Sequence, residues 1–209
     1  YPKTTKYLER LMKKHGIGTV YDCCGKPVYE LGLREDSEDG LDRIAARLKE
    51  QGVEELIVLC PNCYHFFKDR LEVLMVTVYQ KLRELGEGKP VKKDRIPIYY
   101  PCPDRDQKEM FQDVCQFLEG EVTEPFWKVQ CCGLGGCAGV KEPELSREMA
   151  ESAKDYGDEL YTYCASCISN FRRKGMEDAH HILPLILGIE EKVPLGIQPF
   201  MNRARRKLL

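Results

Sequence analysis

Two stretches, Leu56-Ile57-Val58-Leu59-Cys60-Pro61-Asn62-Cys63 and Leu160-Tyr161-Thr162-Tyr163-Cys164-Ala165-Ser166-Cys167, share one design: a short run of core-type residues that leads straight into a Cys-x-x-Cys. A short apolar run bounded by turn formers reads as a buried strand. Pro61 suits the first turn of a helix, where its missing N–H costs nothing. Each Cys-x-x-Cys is therefore expected on a strand-to-helix turn. Phe67 and Phe171 both stand seven residues after the first Cys of their motif, so the likeness extends beyond the cysteines.

Outward from these motifs the pattern repeats. Cys23-Cys24-Gly25 precedes Cys60 with 35 residues between, and Cys131-Cys132-Gly133 precedes Cys164 with 31 between. Leu41, Ile44, Ala45 and Leu48 fall on one helical face that Gly52 can end in the left-handed conformation, and Leu145, Met149 and Ala153 mark the equivalent helix. A helix over 4–15 leads to an expected strand over 19–22; a strand over 96–100 leads to Cys102 and a helix bearing Phe111, Cys115 and Leu118. Phe67, Leu71, Leu74 and Val78 keep helical spacing and extend the helix after Cys63. The polar segment 86–95, with Gly88 and Pro90, separates two copies: residues 1–88 as the first repeat, and 89–209 as the second repeat with a helical tail. Helices alternating with buried strands imply an α/β fold of two pseudo-symmetric repeats, each a small, mostly parallel sheet flanked by helices.

The chain has 209 residues, with 32 Lys+Arg against 34 Asp+Glu and a formal charge of −2. No global field draws it onto nucleic acid or anionic lipid. The longest apolar stretches, 71–79 and 182–189, fall short of the ~20 residues a membrane span needs, and the Lys-rich start has no signal-peptide core, so a soluble cytoplasmic protein is expected. Eleven cysteines, an odd number, suit a reducing cytosol only if metal or redox chemistry uses them.

A Cys-x-x-Cys at a helix start places two sulfurs near free N–H groups and the positive end of the helix dipole, which favours thiolates. A vicinal Cys-Cys strains to give both sulfurs to one small ion but can hold two irons of a larger cluster, and the Gly that follows permits close backbone approach. The pattern favours a cluster over a single ion.

On these motifs the sequence resembles the CCG-domain, or cysteine-rich domain, family: a leading Cys, then Cys-Cys-Gly, then Cys-x-x-Cys. The family includes the B and D subunits of heterodisulfide reductase. The likeness covers nearly the whole chain in both repeats, including the segment around His181-Ile182-Leu183. It implies iron–sulfur ligation by Cys102, Cys131, Cys132, Cys164 and Cys167 at one site and by Cys23, Cys24, Cys60 and Cys63 at the other, as one or two noncubane [4Fe-4S] clusters per chain. The first repeat lacks a leading Cys and the chain opens at Tyr1-Pro2 without Met, so a fragment starting inside that repeat is expected; the 28 residues between Cys102 and Cys131 are short for the family. The implied role is an electron-transfer or catalytic module of a heterodisulfide-reductase-like oxidoreductase. It would act on a thiol or disulfide, or relay electrons, fed by an iron–sulfur or flavin subunit or domain, because no ferredoxin-type cysteine run is present here. The rival is a scaffold or binding domain with zinc in its cysteine sites, or nothing.

The remaining features read more plainly. Cys115, on the stripe with Phe111 and Leu118, is expected in the core, and Cys137 beside the Cys-Cys-Gly reads as a spare thiol or a substitute ligand. Residues 133–138 match a dinucleotide fingerprint, but no clear strand precedes them and no acidic residue follows at the right distance. His65, His180 and His181 read as surface or core residues, His65 being near enough to tune a cluster. Arg203, Arg205, Arg206 and Lys207 form a solvated helix end, with a subunit contact as the sharper alternative. No Ser/His/Asp triad is legible.

Overall fold

The computed structural model describes residues 1–135 and 138–207. The side chains of Arg203, Arg205, Arg206 and Lys207 are also excluded, so the expectations for Cys137 and for the basic tail lie outside the described residues. In the first half, α1 (Pro2–Lys14), α2 (Lys26–Glu30) and α3 (Arg34–Glu50) precede β1 (Glu55–Val58), α4 (Pro61–Phe67), β2 (Leu74–Thr77) and α5 (Val78–Glu84). In the second, β3 (Val91–Pro97), α6 (Glu109–Val114) and β4 (Leu118–Thr123) are followed by α7 (Ala138–Lys141) and α8 (Pro143–Glu151). Then come β5 (Glu159–Thr162), α9 (Ala165–Arg173), β6 (Asp178–His181), α10 (Ile182–Ile186) and α11 (Gln198–Lys207).

The strands pair in parallel as β1 with β2, β3 with β4, and β5 with β6. A bridge between Ile98 and Tyr161, with Tyr99 N donating to Tyr161 O at 2.8 Å, joins the end of β3 to β5. The fold is α/β, with two pseudo-symmetric units each holding a small parallel sheet flanked by helices. The units β1-α4-β2-α5 and β5-α9-β6-α10 superpose in sequence. One displacement carries Glu55 to Glu159, Cys60 to Cys164, Phe67 to Phe171 and Thr77 to His181. Even the caps correspond: Thr77 Oγ1 accepts from Gln80 N at 3.0 Å, and His181 Nδ1 accepts from Leu183 N at 3.2 Å. The main core crosses the middle of the chain, packing Leu8, Val78 and Leu82 against Ile96, Tyr161 and Ile186.

Several expectations are corrected. Residues 19–22 form no strand, and Val20 is 76 % exposed. The helix after Cys63 stops at Phe67, because Arg70 folds back to donate from Nη1 to Phe66 O at 3.0 Å and lies over the Phe66 ring, after which 74–77 extend to pair with β1. Similarly Leu118 begins β4 and does not continue α6. Met110 and Val114 are the buried residues of α6, whereas Cys115 is only half-buried, its thiol donating to Gln112 O at 3.1 Å. The segment expected as a polar linker gives up residues 91–95 to β3, which runs on to Pro97.

Candidate iron–sulfur site

Each Cys-x-x-Cys begins on the residue that caps a helix. Cys60 (φ −102°, ψ 125°) caps α4 and Cys164 (φ −115°, ψ 116°) caps α9, both extended, as the strand-to-helix reading requires. Their carbonyls accept from Tyr64 N at 2.9 Å and Ile168 N at 3.1 Å. Cys63 and Cys167 follow in the first helical turn, where orphan N–H groups and the helix dipole favour negative sulfur.

In the second half five thiols form one connected chain. Cys102 and Cys132 both donate to Cys131, Cys167 lies against both Cys132 and Cys164 with one proton to share between them, and Gly133 N approaches Cys131 Sγ at 3.3 Å. These bonds pull Cys131 well below the usual thiol range and lower Cys164, chiefly through the neighbouring thiol in each case, and push the donors Cys102 and Cys167 upward. Cys132, Cys164 and Cys167 are embedded in an apolar cluster with Phe126, Val129 and Phe171, and Cys102 is exposed. Such a cluster excludes water from three of the five sulfurs. In the first half Cys63 lies against both Cys24 and Cys60 with one proton to share between them, lowering Cys24 to about 7 and Cys60 to about 6, against burial. Cys24 packs with Leu41, Phe66 and Phe67; Cys23 is exposed on an open cleft with Arg43, Ile44 and Arg47. The structure thus brings together all five candidate residues of the second site and three of the four at the first.

The glycines after the vicinal pairs are required by conformation. Gly25 has φ 81° and Gly133 φ 80°, and each carbonyl accepts from a serine hydroxyl, Ser37 at 3.2 Å and Ser146 at 2.6 Å. A Cβ on Gly133 would fall 2.3 Å from Ser146 O, so only glycine lets α8 approach the pair. Asn170 Nδ2 holds the Cys132 carbonyl at 2.6 Å.

Sequence reasoning missed both serines, Asn170 and a buried carboxylate. Asp104, two residues after Cys102, is fully buried and accepts from His65 Nε2 at 2.9 Å, the Tyr163 hydroxyl, Met110 N at 3.1 Å and Phe111 N at 3.0 Å. It ties the neighbours of Cys63, Cys102 and Cys164 into one network. Asn62 is a second tie, donating to Cys60 in its own motif and reaching Cys164 Sγ of the other at 3.9 Å.

The donor set fits a polynuclear group. Five thiols strung along a chain, with N–H donors to sulfur and an apolar wall, match the ligand chemistry of an iron–sulfur cluster.

The family model described as "Cysteine-rich domain" (CCG) matches residues 1–68 and 97–172. Relatives include an iron–sulfur protein of Methanocaldococcus jannaschii, 23 % identical over 181 residues, which cover 78 % of this chain and 36 % of the relative. One subunit of the fumarate reductase (CoM/CoB) of Methanothermobacter marburgensis is 26 % identical over 190 residues, covering 79 % and 38 %. Lactate utilization protein A of Oceanobacillus iheyensis is 23 % identical over 187 residues, covering 75 % and 72 %. The chain spans little more than a third of the length of the first two relatives.

Proposed function

Because the chain belongs to the cysteine-rich (CCG) domain family, we propose that it is the iron–sulfur module of a heterodisulfide-reductase-like oxidoreductase. The observation that carries this reading is the connected set Cys102, Cys131, Cys132, Cys164 and Cys167, gathered from three separate segments into one partly water-free site. These five residues would hold one noncubane [4Fe-4S] cluster, and Cys23, Cys24, Cys60 and Cys63 a second. The division into repeats 1–88 and 89–209 belongs to the same reading.

When bound, such a group supplies one-electron transfer, and two such steps with two protons convert a disulfide to two thiols. The chain's own residues do the rest. The α4 and α9 N-termini stabilise the negative sulfurs, Gly133 N donates to Cys131, and the apolar wall around Cys132, Cys164 and Cys167 keeps water from the ligands. A relative named as part of a reductase supports a partner polypeptide that delivers electrons, whether by an iron–sulfur or a flavin group. A thiol or disulfide is the substrate class this chemistry serves. No described helix is long and apolar enough to cross a membrane. Cytoplasmic placement is part of the proposal and rests on thiols that must stay reduced.

Iron and acid-labile sulfide analysis of anaerobically purified and reconstituted protein tests this. Near-equal iron and sulfide, with thiolate-to-iron absorption, is the expected result; a colourless protein with stoichiometric zinc overturns it.

A further inference from the structure

Tyr79, on the first turn of α5, is 0 % exposed, and its hydroxyl has no hydrogen-bond partner among the described residues. A buried hydroxyl without a partner costs about 1–3 kcal/mol, so it calls for an acceptor supplied in another state of the protein. Two other buried oxygens share this condition, on Tyr1 and Thr162; Tyr79 is singled out by register, since β1 and β2 pair Val58 with Thr77, and Tyr79 follows Thr77 by two residues as Cys60 follows Val58. Burial pushes it up first, and the negative charges that then act on it are those of Cys164 and Cys60. Asn62, also in the first half, already directs its amide at Cys164 Sγ from 3.9 Å, longer than a settled hydrogen bond and short enough to close on a more electron-rich sulfur.

The geometry points to Tyr79 and Asn62 as positioning residues that donate from the first half to the Cys164 sulfur of the second, and so raise the reduction potential of the group held there. The inference rests on the iron–sulfur reading above. Its physical basis is that a donor to a ligand sulfur stabilises the reduced, more negative state more than the oxidised one. It also makes the two repeats interdependent: the second site is complete in thiols but takes two of its donors to sulfur from the first.

The test is a potentiometric titration, followed by EPR, of anaerobically reconstituted wild-type protein and Tyr79→Phe, with the second-site couple identified as the one lost in Cys164→Ser. Phenylalanine fills the same space and removes only the unpartnered oxygen. Iron and sulfide content is expected to stay at the wild-type value, and the metal-free variant to melt at or above the wild-type temperature. The second-site couple is expected to fall so that the reduced-to-oxidised ratio at the wild-type midpoint drops about tenfold, or ~59 mV for one electron. Asn62→Leu should shift the same couple in the same direction. Should Tyr79→Phe fail to accumulate, wild type reconstituted in D₂O supplies the second measurement. Its iron–thiolate Raman bands should shift relative to H₂O, and part of that shift should vanish in Asn62→Leu. A loaded Tyr79→Phe with an unmoved couple, or D₂O-insensitive bands, overturns the inference alone. Wild type that takes up no iron and sulfide overturns the function and this inference with it.

Discussion

His65 Nε2 stands 2.9 Å from Asp104 Oδ1, so the residue two places after Cys63 of the first motif is bonded to the residue two places after Cys102 of the second. Asp104 is fully buried and takes three further donors, and burial, which raises a carboxyl, is outweighed here by the His65 and Tyr163 bonds that lower it. The two cysteine sites are therefore braced against each other by one carboxylate.

Removing that carboxylate should loosen both halves together. Asp104→Ala leaves His65, the Tyr163 hydroxyl and two backbone N–H groups without their acceptor, and a cost of about 3 kcal/mol or more is expected in the metal-free protein. Urea unfolding measures it, and a loss under 1 kcal/mol would show that the brace carries no stability.

The same group fixes a pH dependence. Asp104 is depressed in the folded state, so its stabilisation is full above the ordinary carboxyl value of 3.8 and is lost as pH falls through the lower folded value. Wild type should lose stability on acidification below about pH 4, and Asp104→Asn should lose less over that window while starting from a lower plateau. Parallel slopes in acid titrations of the two proteins would contradict this.

The glycines give an asymmetric prediction. Both adopt the left-handed conformation, which costs a non-glycine residue ~1–2 kcal/mol. At Gly25 an added Cβ meets the Ser37 hydroxyl at 3.3 Å and the Ser37 carbonyl at an ordinary 3.7 Å, while at Gly133 it runs into the Ser146 backbone at 2.3 Å. Gly25→Ala should therefore cost about that amount and keep its site, whereas Gly133→Ala should cost more and displace the Cys131-Cys132 pair. Thermal melts and iron content of both variants check it.

What was legible beforehand follows the range of the interactions. The strand-to-helix turns at Cys60 and Cys164 are local, written in a buried run followed by helix-start chemistry. The strands β2 and β6 are not. In β6, Asp178-Ala179-His180-His181 buries only Ala179 and His181, and in β2 the spacing of Phe67, Leu71, Leu74 and Val78 imitates a helix until Arg70 closes α4 and pairing with β1 extends the chain. Parallel pairing between separate segments outweighs local periodicity. Likewise the thiol sets are visible as motifs, but the Asp104 network, Asn62 and Tyr79 act across the two halves and leave no sign in either segment alone.

Cys115 separates a structural thiol from the candidate ligands. Its thiol makes one bond to Gln112 O and is half-buried, so Cys115→Ala should keep full iron content and cost no more than about 1 kcal/mol. Cys132→Ser or Cys164→Ser should abolish the second-site absorption in the same reconstitution.

Chelation should resolve the two sites in order. The second site draws on five connected thiols, three of them inside an apolar cluster; the first has three connected thiols, and its fourth candidate, Cys23, is exposed on a cleft open to water. Metal affinity rises with the number of preplaced thiolates, and solvent access hastens both chelation and oxidation. Iron should accordingly leave in two phases under an anaerobic chelator. Cys60→Ser should delete the faster phase and Cys164→Ser the slower one. Alkylation of the metal-free protein should label Cys23 and Cys102 before the buried cysteines, and loading with iron and sulfide should protect both. A single phase that either serine variant abolishes whole would mean that the two sets form one cooperative centre, and the assignment of four and five cysteines to separate sites would fall.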